Sequence, residues 1–213
     1  MDARALAFAA LVAPACLALS APPAAAATGS TAQIMLWRMF QVAPDTARDR
    51  HDIAPYLITQ HWLTEEFGLY AFYSPIQSAV VRGTYRFKPA GDLGVTLMAG
   101  GRWSNIASSL KTFSGSFLEG PEGVIVVGHP LGGGFALSVL GSYAHLFELN
   151  PGPTTAPNTG EPKNLSYYGL NLSLPPLAGT TVTVGILGAI LNGYQTGQKF
   201  HDLGPTLSFS RAF

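Results

Sequence analysis

The sequence predicts an all-β chain, an antiparallel up-and-down transmembrane β-barrel of about ten strands within a range of roughly eight to twelve. Three observations predict it. Apolar and polar residues alternate with period two over much of the chain, the period of a strand whose two faces meet different surroundings. Short and long connections alternate between those runs, except for a short one at 74–78 where a long loop would be expected, as they do in a barrel with short turns at one membrane face and long loops at the other. Finally, 47% of the 213 residues are hydrophobic and only 11% are charged. Soluble domains carry about 25% charged residues, so this surface is undersupplied with groups that water would solvate.

The chain opens Met1-Asp2-Ala3-Arg4, runs apolar over 5–19, and reaches Pro22-Pro23 and four alanines, Ala24 to Ala27. A charged start, a short apolar core and an Ala-x-Ala exit predict a secretory signal peptide over 1–27, with a barrel domain over 28–213. The apolar run is shorter than the ~20 residues of a spanning helix.

The clearest strand lies at 79–88. Ala79, Val81, Gly83, Tyr85 and Phe87 share one face, and Val80, Arg82, Thr84, Arg86 and Lys88 the other. Pro89-Ala90-Gly91-Asp92 predicts a turn into a second alternating run at 93–103, which makes a hairpin. A third run covers 135–149. A second hairpin follows, with Leu170, Leu172, Val184 and Ile186 on the apolar face, Asn171, Ser173, Thr181 and Thr183 opposite, and Pro175–Gly179 as the turn. Weaker runs at 32–42, 53–63, 66–73, 123–129 and 205–213 complete the set. Short connections are expected at 64–65, 89–92, 130–133 and 175–179. Long ones are expected at 43–52, 104–122, 150–164 and 192–204.

Composition excludes several functions. Lys+Arg and Asp+Glu are 12 each, so no net basic field exists to hold nucleic acid. Cys16 is the single cysteine and lies in the signal segment, which excludes a disulfide scaffold or a zinc ribbon. No stretch of 18 residues is free of breakers and polar groups, which argues against a helical membrane protein. Leu131-Gly132-Gly133-Gly134 lacks the Gly-Lys-Ser/Thr ending of a phosphate loop and reads as a turn. No cofactor is expected.

The chain ends Leu207-Ser208-Phe209-Ser210-Arg211-Ala212-Phe213. This ending resembles the C-terminal strand of bacterial outer-membrane β-barrels, which finish on Phe with apolar or aromatic residues at alternate positions before it. Leu207, Phe209 and Phe213 match that pattern; Arg211 departs from it. The resemblance implies an outer-membrane location, outer-membrane lipid as surroundings, and recognition of this strand by the barrel-assembly machinery.

Candidate functional residues fall into two groups. Arg82, Arg86 and Arg102 lie on the polar faces of the first hairpin, and Glu148 on the polar parity of its own run. In a barrel these faces point into the lumen, where they either select anions or pair with carboxylates in a filled interior. His51-Asp52 and His201-Asp202 fall in predicted loops on either side of the first-to-last strand closure, so they are candidates for a rim site. An imidazole and a carboxylate there would supply general-base or metal-ligand chemistry. Trp37, Trp62, Trp103 and the terminal tyrosines are expected in interfacial girdles. Three functions stay open: a structural barrel or narrow passive pore, a rim enzyme acting on lipid or peptide, and a surface adhesin.

Overall fold

The computed structural model describes residues 29–41, 53–74, 78–104, 117–150, 163–194 and 198–213. The predicted signal segment and the His51-Asp52 pair lie outside the described residues. Eleven strand segments follow one another: β1 (Ser30–Arg38), β2 (Phe40–Gln41), β3 (Ile53–Trp62), β4 (Phe67–Ser74), β5 (Ser78–Ala90), β6 (Leu93–Ser104), β7 (Phe117–Gly132), β8 (Phe135–Asn150), β9 (Lys163–Ser173), β10 (Thr180–Tyr194) and β11 (Gln198–Ala212). β1 and β2 are one strand interrupted at Met39, so the segments make ten barrel strands.

Each strand pairs antiparallel with the next, and β1 closes on β11 from Thr31↔Ala212 to Trp37↔Thr206. Closure leaves no free sheet edge, the condition under which strands survive in lipid. The connections at 63–66, 91–92, 133–134 and 174–179 gather at one end together with Gly29 and Phe213; Ser30 and Phe213 exchange two backbone hydrogen bonds there, of 3.2 and 2.8 Å. We call this the turn end and the opposite one the loop end. The β7–β8 turn is Gly133-Gly134, with φ of 62° and 84°. Two successive positive φ values suit the mirror-image turns that match hairpin twist.

Alternation sorts side chains between two surroundings. Ile34, Leu69, Leu97, Ile125, Val139, Leu170, Ile186 and Phe209 are all exposed on the outside. A belt of that size would be a liability in water and is the required surface in hydrocarbon. Exposed aromatics flank it, with Tyr73, Trp103, Tyr143 and Phe147 toward the loop end and Phe67, Tyr85, Phe87 and Phe135 toward the turn end. Inside, Trp37, Met39, Ala54, Tyr56, Ile58, Phe72, Val80 and Ala189 form the main buried cluster. It fills the loop-end half of the lumen.

Several boundaries differ from the sequence expectation. β7 starts at Phe117 and takes in Gly120-Pro121-Glu122, which Gly-Pro chemistry assigned to a loop. β11 starts at Gln198, so His201 and Asp202 lie in a strand and not in a loop. Trp37 is 1% exposed and belongs to the lumen cluster, not to a girdle. Trp62 lies on the inward parity of β3, its ring 4.0 Å from the Arg86 guanidinium carbon.

Two Gly-Pro pairs share one geometry. In β11, pairing with β1 and β2 lapses between Trp37↔Thr206 and Phe40↔Leu203, at Gly204-Pro205. In β7, pairing with β8 lapses between Glu119↔Phe147 and Glu122↔Ala144, at Gly120-Pro121. Proline has no N–H to give the ladder. At each site the glycine turns the position a Cβ would occupy onto a neighbouring carbonyl, that of Arg38 for Gly204 and that of His145 for Gly120. A Cα–H contact thereby stands beside the missing N–H donor.

Candidate functional site

The register brings three lumen residues into line. Arg82 on β5 is the Cα partner of Gly100 on β6, and Gly100 is the partner of Glu122 on β7. Gly100 has no side chain to separate its neighbours, so Arg82 reaches across β6. Its Nε and Nη2 donate to Glu122 Oε2 at 3.1 and 2.5 Å. Arg102 Nη2 donates to Glu122 Oε1 at 2.8 Å. Arg82 and Arg102 are 5% and 1% exposed, and the Glu122 side chain is fully covered.

Aromatic rings surround this ion triad. The Arg82 guanidinium lies 5.0 Å from the Tyr70 ring and 5.4 Å from Phe72. Arg102 lies 5.1 Å from Phe72 and 4.8 Å from Tyr167. Cation–π attraction at such distances contributes about 0.5–2 kcal/mol each and helps offset the cost of removing the guanidinium groups from water. Trp37 packs on Tyr56 and Tyr167, with ring centroids 6.4 and 6.3 Å away. Together these groups form a plug across the loop-end half of the barrel.

Below the plug a cavity of about 370 Å³ extends toward the turn end. Its lining changes character around the barrel. From β3 to β7 it is mostly bulky, with the apolar Ile58, Phe72, Met98, Val124 and Val126 beside Tyr56, Tyr70, Gln60, Arg82 and Arg102. From β8 to β11 it is mostly small and polar, with Ser138, Ser142, Asn171, Ser173, Thr181, Thr183, Thr206, Ser208 and Ser210. Small side chains on one side and large ones on the other leave the space open. Ser173 and Thr183 hydrogen-bond through their hydroxyls at 3.0 Å.

The remaining predicted residues separate. Arg86 is exposed near the turn end, stacked on Trp62 and bonded to the Glu65 carbonyl; it takes no part in the triad. Glu148 lies in β8, and its side chain is outside the described set. His201 meets Tyr168 on the outer face through Nε2 and the phenol oxygen at 2.5 Å. Asp202, next along the strand, falls on the inward parity shared with Thr206 and Ser208. Strand alternation therefore places this histidine and aspartate on opposite sides of the wall, and they make no dyad. Among the described residues no three His, Cys, Asp or Glu side chains gather closely enough to hold a metal. Leu207, Phe209 and Phe213 keep the outward parity of β11, with Phe209 exposed; the Arg211 guanidinium lies 6.0 Å from the Phe213 ring.

The residue that sequence reasoning missed is Glu122. Its signal was present: Glu122, Val124 and Val126 continue one parity, and two inward arginines on adjoining strands require a carboxylate.

No family model matches the chain, and no curated protein matches it. Solved structures similar to it are bacterial outer-membrane barrels. An outer-membrane channel from Pseudomonas putida F1 has a TM-score of 0.46 at 8% identity, covering 91% of this chain and 100% of that one. A loop-deletion form of OmpT, an outer membrane protein of Vibrio cholerae, has 0.42 at 8% identity, covering 87% and 99%. The toluene transporter TodX of Pseudomonas putida has 0.35 at 12% identity, covering 96% and 79%. The chain itself is a closed antiparallel β-barrel of ten strands.

Proposed function

We propose that this protein is a structural barrel of the bacterial outer membrane whose lumen is closed to ion flow. The single observation that carries the reading is the Arg82–Glu122–Arg102 triad, seated among Tyr70, Phe72 and Tyr167 in the loop-end half of the lumen. An open anion pore needs cationic walls that face water. Here two of the three arginines expected to line such a pore are bound to one carboxylate and covered by rings. The exposed apolar belt supports the membrane location, because only hydrocarbon accepts that surface without cost.

Purified protein in planar bilayers tests this. The expected record has no stable conductance steps above the bare-membrane baseline. A steady, anion-selective single-channel current that reverses selectivity on Arg82→Glu and Arg102→Glu would overturn the closed-lumen reading. Fractionation tests the location: the folded chain belongs in detergent-extracted outer membrane, and recovery as a soluble monomer would remove it from the membrane altogether.

A further inference from the structure

We infer that the cavity beneath the plug is a binding site for a small uncharged amphiphile, a molecule apolar on one side and hydrogen-bonding on the other. Its volume of about 370 Å³ lies in the range of small-molecule sites, roughly 300–1,000 Å³. A lumen serving only as a water-filled core would be polar all round. This one carries most of its bulky apolar side chains on β3 to β7 and most of its small hydroxyl side chains on β8 to β11, with Leu140 and Leu187 among the latter.

The apolar side is made by Ile58, Phe72, Met98, Val124 and Val126 on β3, β4, β6 and β7. Water against that wall gains few hydrogen bonds, so an apolar surface displaces it favourably. The opposite side presents Ser138, Asn171, Ser173, Thr183 and Ser208 from β8 to β11. Each hydroxyl has one donor and two acceptor sites, so the Ser173–Thr183 bond leaves capacity on both partners. A ligand lying between the walls meets its two needs on two faces.

The charge pattern makes the ligand uncharged. The charged lining residues are Arg82 and Arg102, both held by Glu122. A carboxylate ligand would have to compete with that buried ion triad, and a cation would face two guanidinium groups. Access is from the turn end, because the aromatic cluster and the triad occupy the loop-end half.

The experiment uses the full barrel in phosphatidylcholine nanodiscs and 4-bromophenol, a neutral amphiphile whose bromine quenches tryptophan. The double variant Trp62→Phe, Trp103→Phe leaves Trp37 as reporter, packed on the cavity residues Tyr56 and Tyr167. Saturable quenching is expected. It should disappear when Ser173→Leu and Thr183→Leu fill the hydroxyl side, with the heat-modifiable gel mobility of the folded barrel retained. Quenching that rises linearly and equally in both proteins means membrane partition alone and overturns the site. Stronger quenching by 4-bromobenzoate would overturn the uncharged class in favour of an anion at the arginines. If the tryptophan variant does not fold, the unaltered barrel supplies the test: 4-bromophenol should raise its unfolding temperature, and no rise rejects the proposal. None of these readouts depends on ion conductance, so they stand apart from the closed-lumen reading.

Discussion

The carbonyl oxygen of Arg38 occupies the space that a Cβ on Gly204 would need. The two residues belong to the strands that close the barrel, at the point where Pro205 withholds a ladder donor. Gly204→Ala would drive a methyl into backbone, where no side-chain rotation relieves it. Overpacking costs about 1–3 kcal/mol in ordinary cores, and the loss here should be at least that large. Gly123→Ala is the control, since nothing stands within 4 Å of its added carbon. Urea titration in detergent should show Gly204→Ala unfolding much earlier and Gly123→Ala unchanged; equal midpoints would refute the close approach.

Removing the shared carboxylate should be costlier than removing the whole triad. Glu122→Ala breaks both ion pairs while two arginines remain buried, a change worth about 3–5 kcal/mol in other proteins. The triple variant Arg82→Met, Arg102→Met, Glu122→Met takes the charges out together and should recover most of that loss. Denaturant midpoints of the single and triple variants decide the point. A harmless Glu122→Ala would mean that the triad contributes nothing to stability.

The two faces of the β9–β10 hairpin should respond differently to charge. Val184 and Ile186 are exposed on the outer face, and an arginine there at mid-membrane depth costs roughly 2–4 kcal/mol. Thr183 lines the cavity, so Thr183→Arg should cost less. Folding yield into lipid vesicles ranks the three variants. A reversed ranking would mean that the wall is inside out.

Phe213 should matter to closure more than Arg211. Deleting Phe213 removes the backbone pair with Ser30 together with the terminal ring. Arg211→Tyr keeps the ladder and restores an aromatic residue at an exposed outward position. The amount of heat-modifiable barrel in membranes should fall on deletion and hold steady for the tyrosine variant. Equal yields would remove the last residue from the closing mechanism.

Sequence alone resolved the architecture best where the two faces of a strand differ most. Leu172 and Val184 against Ser173 and Thr183 give clean alternation because the lumen beside β8–β11 is polar. Along β1 and β4 the lumen is apolar as well, so inward Trp37 and Phe72 look like lipid-facing residues, and Trp37 was expected in a girdle. Gly120-Pro121 and Gly204-Pro205 hid strand ends, since the turn chemistry of that dipeptide outweighs a ladder that bends to keep it. Glu122 was lost with the first pair and His201-Asp202 with the second. The triad itself depends on register across three strands, and Gly100 carries no local mark of the residues that meet above it.

The seam between the first and last strands also sets an order of events. All the other neighbours are joined as successive strands, whereas β1 and β11 must find each other across nearly the whole described chain. Contacts of long sequence separation carry the largest ordering entropy and form late. Once Ser30 and Phe213 meet, seven successive registers run from Thr31↔Ala212 to Trp37↔Thr206. Pairing then lapses at Gly204-Pro205 and resumes at Phe40↔Leu203 and Asp202↔Gln41. The seam is therefore two ladders of unequal length, the longer at the turn end, so the loop-end rim is held by only two pairs of partners.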